Sequence, residues 1–147
     1  VRTIRWSNAG HPPPVILRAD GSVEVLRRHN DLILGIIPDH QRHDFTITLA
    51  DNDTLIFYTD GLIERRNRTM TASVEALVRT LENRQDDDLD ELCDHVLTTL
   101  VPGRADDDIA IVAVRAYPQD EPRPPEAGPN ENLPPELDDG DVGTTSV

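Results

Sequence analysis

The sequence contains no lysine: its basic side chains are 14 arginines, set against 28 acidic residues, for a net charge of −14. A chain this acidic repels phosphate backbones and gains nothing from counterion release, which argues against nucleic acid as a partner. The missing lysine points to biased codon usage, as in a GC-rich genome, and the acidity is most simply read as solubility. A single cysteine, Cys93, excludes an internal disulfide and any multi-cysteine zinc site, and it fits a reducing cytoplasm. No apolar run approaches the roughly 18 residues needed to span a bilayer, and nothing resembles a signal peptide. No membrane contact is expected from this segment, and a cytoplasmic location is.

Apolar residues are scarce overall, at 37%, and the shortage is uneven. Beyond Tyr117 almost none remain. Pro118 to Val147 carries eight acidic residues and one arginine among prolines and glycines. Such a stretch cannot bury enough apolar area to offset its ordering entropy, so residues 118–147 are expected to form a disordered tail. Residues 1–117 are then the folding unit, large enough for one modest core. The chain opens at Val1, directly in strand-like sequence, and is expected to be part of a longer protein.

Val1 to Trp6 alternates apolar and polar residues, the pattern of a half-buried strand. Asn8 to Pro14 (NAGHPPP) must be a turn, since three prolines cannot sit in a ladder. Two short apolar runs then flank Ala19-Asp20-Gly21-Ser22, a hairpin signal because Asp and Gly tolerate positive φ. Leu32 to Ile37 is a looser apolar segment, broken by Gly35 and ended by Pro38. Phe45 to Leu49 and Thr54 to Thr59 read as two strands joined by Asp51-Asn52-Asp53, expected to pair as an antiparallel hairpin. Val74, Leu77, Val78 and Leu81 predict a helix capped by Thr71 or Ser73. Leu89, Leu92, Cys93, Val96, Leu97 and Leu100 predict a second, with Asp88 as cap, Glu91 three residues on, and Pro102-Gly103 as stop. Ile109 to Arg115 reads as a buried strand. The sum is an α+β domain with helices layered on antiparallel sheet.

Two acidic positions carry chemical interest. Asp60 follows the strand LIFYT and precedes Gly61 in what reads as a tight turn; Asp106, Asp107 and Asp108 precede the last strand. If those strands are neighbours, the carboxylates converge at one edge, where mutual repulsion is relieved by a cation. Hard divalent ions such as Mg²⁺ or Mn²⁺ prefer such ligands. An ordinary turn and a solvated acidic loop account for the same spacing, and both readings stand at this point.

The wording of the segments goes further. WSNAGHPPPVIL, then LGI, then TLIFYTDGLIERR, then ADDDIAIVAVR, in this order, resembles the SpoIIE-like branch of the PPM (type 2C) metal-dependent protein phosphatases, over about Arg2 to Arg115. The resemblance implies the C-terminal part of an α/β/β/α sandwich with two metal ions, Mn²⁺ or Mg²⁺, at one edge of its sheets. It implies metal ligation by Asp60 and, by register, Asp107, with Asp106 as the fallback. Asp108 fills the neighbouring position, and Gly61 lets the turn close behind the ligand. His11 stands where more distant members have an aspartate linked to an extra metal; it could order a metal-bound water, but a turn fixed by Asn8, Gly10 and the prolines is the favoured reading. Glu64 reads as a surface residue. His29, His40, His43 and His95 show no ligand spacing, and Cys93 lies in a helix stripe.

The implied mechanism is attack on phosphorus by a water activated between two cations, without a covalent phosphoenzyme. The implied substrate is a phosphorylated regulatory protein, in this branch an anti-anti-sigma factor. The family's G-D-x-x-D and D-x-x-G-H-G motifs, which supply the carboxylate bridging the two metals, do not occur in this sequence. The chain is therefore expected to be inactive in isolation and to expose sheet edges and apolar faces. A pseudophosphatase or gene remnant, acting as an interaction module, is the alternative.

Overall fold

The alternation from Arg2 to Trp6 becomes β1 (Arg2–Trp6), a strand with every second residue exposed. The computed structural model describes residues 1–64, 68–103 and 107–118. The expected hairpin is present as β2 (Val15–Leu17) and β3 (Val23–Val25), paired antiparallel. Gly21 closes it with φ of +85°, a value that favours glycine, and its N–H donates to the Arg18 carbonyl over 2.9 Å.

The next two strands, β4 (Phe45–Leu49) and β5 (Thr54–Tyr58), do not form the expected hairpin. β4 pairs antiparallel with β1, from Arg2↔Leu49 to Trp6↔Phe45, in a two-stranded sheet. β5 belongs to a four-stranded sheet of order β3-β2-β5-β6. The connection explains the departure. Asn52 takes a left-handed φ of +67°, and the buried Asp53 carboxylate accepts the Ala50 and Ala19 N–H groups, each over 2.9 Å. Ala50 thus spends its N–H on a side chain rather than on a ladder, and the chain crosses from one sheet to the other.

After β5 comes a single helical turn, α1 (Asp60–Ile63), which buries Leu62 and Ile63. Helix α2 (Met70–Leu81) starts earlier than expected: its cap is Thr69, whose Oγ1 accepts the Ala72 N–H over 3.2 Å, and Thr71 and Ser73 lie inside the helix. Helix α3 (Leu89–Leu100) has the expected cap, Asp88 Oδ1 accepting the Glu91 N–H over 2.7 Å. The last strand, β6 (Ile111–Arg115), is shorter than expected and lies at a sheet edge rather than buried. Its residues alternate, leaving Val112 and Val114 at least half exposed.

The period-2 geometry of the four-stranded sheet builds two cores. Val15, Leu17, Ile56 and Tyr58 face Leu62, Val74, Leu77, Leu81, Leu92 and Val96, so α1 to α3 cover one face. Ile16 and Leu55 face Ile47 and Leu49, with Ile4 and Trp6 against them, so the β1–β4 sheet lies on the other face. The result is an α/β/β arrangement of layers, three of the four in the expected sandwich. The β1–β4 sheet does not reach Phe57, Val112 and Val114, which remain exposed as apolar groups. Among the described residues no helix is long and apolar enough to cross a membrane. The expected tail falls on 119–147, outside the described residues.

Candidate functional site

The register Tyr58↔Ile111 places the end of β5 and the start of β6 at one edge of the sheet. The bonding continues past the last strand pair: the Thr59 N–H donates to the Ala110 carbonyl (3.1 Å), and the Ala110 N–H donates to Thr59 Oγ1 (2.9 Å). Thr59 Oγ1 in turn donates to the Asp108 carbonyl (3.1 Å). Asp60 and the Asp107–Asp108 pair are thereby brought to the same edge, as the condition posed on the sequence requires.

Asp60 does not sit in a tight turn but opens α1. Gly61 lies against β6's approach: a Cβ built on it would collide with the Asp108 carbonyl oxygen. Only glycine permits the α1 backbone to approach that closely. Asp60, Asp107 and Asp108 are all exposed. One oxygen of each of two carboxylates is held by the next backbone N–H, Gly61 to Asp60 Oδ1 at 3.0 Å and Asp108 to Asp107 Oδ1 at 2.8 Å. Carboxylate oxygens are the ligand type a hard divalent cation takes, but Asp60, Asp107 and Asp108 do not bring three of them within 4.8 Å of one another. Asp106 lies outside the described residues. Glu64 is exposed and its N–H donates to the Asp60 carbonyl over 2.6 Å.

The NAGHPPP segment reaches the same edge, because β2 runs antiparallel to β5. Buried Tyr58 donates its hydroxyl to the Pro13 carbonyl over 2.8 Å. Asn8 is the organiser of this loop: its Oδ1 accepts the His11 N–H (2.9 Å) and its Nδ2 donates to the His11 carbonyl (2.8 Å). Gly10 has φ of +80°, and its N–H donates to Asn30 Oδ1 over 2.7 Å. The His11 ring is exposed, with Nδ1 3.1 Å from the Pro12 carbonyl.

One cluster was not legible in spacing. In the connection between β3 and β4, three imidazoles surround the Asp31 carboxylate, whose side chain is fully buried. Asp31 Oδ1 lies 2.8 Å from His43 Nδ1, 3.3 Å from His29 Nε2 and 3.8 Å from His40 Nε2. Asp31 Oδ2 accepts the His43 N–H over 2.8 Å. That backbone bond, followed by the His43 ring, holds the Asp31 carboxyl below the usual carboxylate range. The available signal was density rather than spacing, since three of the chain's five histidines fall between residues 29 and 43. His95 instead lies 3.0 Å from Arg84 Nη2, and Cys93 is half-buried in α3.

Residues 1–117 match the family of Stage II sporulation protein E (SpoIIE). Among solved structures, the RsbU and RsbW domains of Rv1364c from Mycobacterium tuberculosis are 28% identical, with a TM-score of 0.68 over 79% of this chain and 34% of that one. The PP2C phosphatase domain of SpoIIE from Bacillus subtilis, with a fragment of its regulatory domain, is 24% identical, with a TM-score of 0.59 over 78% and 34%. A manganese-presoaked phosphatase domain of the same protein is 20% identical, with a TM-score of 0.51 over 82% and 59%. The two Bacillus likenesses concern the fold alone. The chain spans about a third of the length of the first two structures. Family match, layer order and the 28% likeness agree: the chain belongs to the SpoIIE family.

Proposed function

We propose that residues 1–117 are the C-terminal part of a serine/threonine phosphatase domain and contribute two metal ligands, Asp60 and Asp107, to its binuclear Mn²⁺ or Mg²⁺ centre. The observation that carries this reading is the register of β5 against β6, which sets Asp60 beside Asp107–Asp108 with Gly61 closed against the Asp108 backbone. When bound, the cations supply Lewis-acid stabilisation of phosphoryl oxygens and lower the pKa of a water.

This chain's own residues hold and orient. Thr59 ties the two ligand-bearing segments to each other through its backbone and its hydroxyl. Asp60 and Asp107 present exposed carboxylate oxygens, the ligand type a hard divalent cation takes. Asp108 provides the carbonyl against which α1 seats. His11 stands on a loop held by Asn8 at the same edge, where it could hydrogen-bond a water or a phosphoryl oxygen. The substrate proposed is a phosphorylated regulatory protein of the anti-anti-sigma class; the RsbU and SpoIIE likenesses support a regulatory protein of that kind.

The test is Mn²⁺-dependent dephosphorylation by the intact protein. Asp60→Asn should abolish turnover while leaving the fold and partner binding in place. Turnover unchanged in Asp60→Asn, or absent from the intact wild-type protein, sinks the reading in favour of a non-catalytic interaction module.

A further inference from the structure

We propose that His29, Asp31 and His43, with His40 beside them, form a site for a transition-metal ion of the zinc class, distinct from the Asp60–Asp107 edge. Four observations bear on it. The donor atoms of His29, Asp31 and His43 all lie within 4.8 Å of one another. The three imidazole nitrogens stand 2.8, 3.3 and 3.8 Å from a single oxygen, Asp31 Oδ1. Zinc bonds of about 2.0–2.2 Å in a tetrahedron imply ligand–ligand edges of roughly 3.3–3.5 Å, in the middle of that range. The carboxylate is fully buried, so its charge is not dispersed by water.

The fourth observation concerns His40. Its Nε2 is buried without a hydrogen-bond partner, although it points to within 3.8 Å of the same Asp31 oxygen. Of the three imidazoles only His43 hydrogen-bonds Asp31 Oδ1, whereas a cation among His29, Asp31 and His43 would take a lone pair from each. The donor set also sorts the metal. Imidazole nitrogens select zinc-class ions, while the all-oxygen edge at Asp60 selects Mg²⁺ or Mn²⁺.

The site would also give the β3–β4 connection a fixed shape. Leu32, Ile33, Leu34, Ile36 and Ile37 lie between the ligands and are 43–73% exposed, so this stretch has little core of its own. Its neighbour Asn30 bonds Gly10 and His11, and the Asp31 N–H donates to the Asn8 carbonyl over 2.9 Å. A metal at Asp31 would thus brace the NAGHPPP loop from behind. The inference does not depend on the phosphatase reading.

The experiment uses tag-free intact protein carrying Asp60→Asn and Asp107→Asn, so that the oxygen edge does not contribute. Equilibrium dialysis against Zn²⁺ should show one bound equivalent, and bound Co²⁺ should give the intense visible absorption of a tetrahedral site. His29→Ala and His43→Ala should each weaken Zn²⁺ by at least about tenfold, as loss of a supporting group alone commonly does; His95→Ala should not. Absence of a bound equivalent, or equal binding by the His29 and His43 variants, overturns the proposal. Because His43 also bonds Asp31, its variant could disturb the loop, so acylation of histidines by diethyl pyrocarbonate is read on unsubstituted protein. Zn²⁺ should shield His29 and His43 but not His95; equal labelling with and without Zn²⁺ overturns the proposal as well.

Discussion

The Asp53 carboxylate, with 3% of its side chain exposed, sits 2.7 Å from the Arg18 guanidinium and joins the β2–β3 hairpin to the corner between the two sheets. Arg18 also donates to the Thr48 carbonyl (3.0 Å) and pairs with Glu24. Asp53 therefore supports three segments at once: the hairpin at Ala19, the end of β4 at Ala50, and the start of β5.

Asp53→Ala should destabilise the fold by about 2–5 kcal/mol, because it leaves two backbone N–H groups without their acceptor and takes one of three partners from the Arg18 guanidinium. Asp53→Asn keeps one acceptor oxygen and should cost distinctly less. Urea denaturation of the two variants checks the order; equal midpoints for Asp53→Ala and wild type would remove the corner from the account of the fold.

This corner also marks the limit of what the sequence discloses. Strand positions were legible because alternation is local, and the β2–β3 hairpin was legible because Asp20-Gly21 can adopt only a few turns. The partner of β4 was not. Asp51-Asn52-Asp53 has the composition of a hairpin turn, and only a buried carboxylate with two backbone donors converts it into a crossing between sheets. Likewise Ile109 to Arg115 is apolar enough to suggest burial, yet β6 lies at an edge and shows Val112 and Val114 to solvent. At the site, motif wording pointed to Asp60 and Asp107, while the histidines around Asp31 are joined by loop path, which no spacing rule captures.

Gly61→Ala tests the closeness of α1 to β6. Its Cβ would meet the Asp108 backbone, which cannot rotate away as a flexible side chain could. A destabilisation of about 1–3 kcal/mol is expected, typical of overpacking. If Asp60 and Asp107 act together, turnover in the intact protein should fall by more than the lost stability accounts for, measured at a temperature where the variant is fully folded.

Cys93 should resist thiol reagents. Burial, and then the charges of Asp90 and Asp94, push its thiol above the ordinary cysteine value. Less thiolate at neutral pH means slower attack. Alkylation by iodoacetamide at pH 8 should be slower in the folded chain than in urea; equal rates would contradict the half-buried placement in α3.

Tyr58 should lower the stability of the fold at alkaline pH. Burial pushes its phenol up to about 12, with a nearby Arg27 charge acting weakly in the other direction. In the unfolded chain the same phenol ionises near pH 10. A group whose folded pKa is raised contributes stability that is whole below the unfolded value and disappears as pH climbs through the folded one, so stability should fall between about pH 10 and pH 12. Tyr58→Phe keeps the ring in the core but leaves the Pro13 carbonyl without its donor, at a cost of about 1–3 kcal/mol at neutral pH. The same substitution should flatten the fall above pH 10, so that the two stability curves converge. Parallel curves from pH 7 to pH 12 would show that the Tyr58 phenol ionises as readily in the folded chain as in the unfolded one, and that its bond to Pro13 contributes to the fold without setting its alkaline limit.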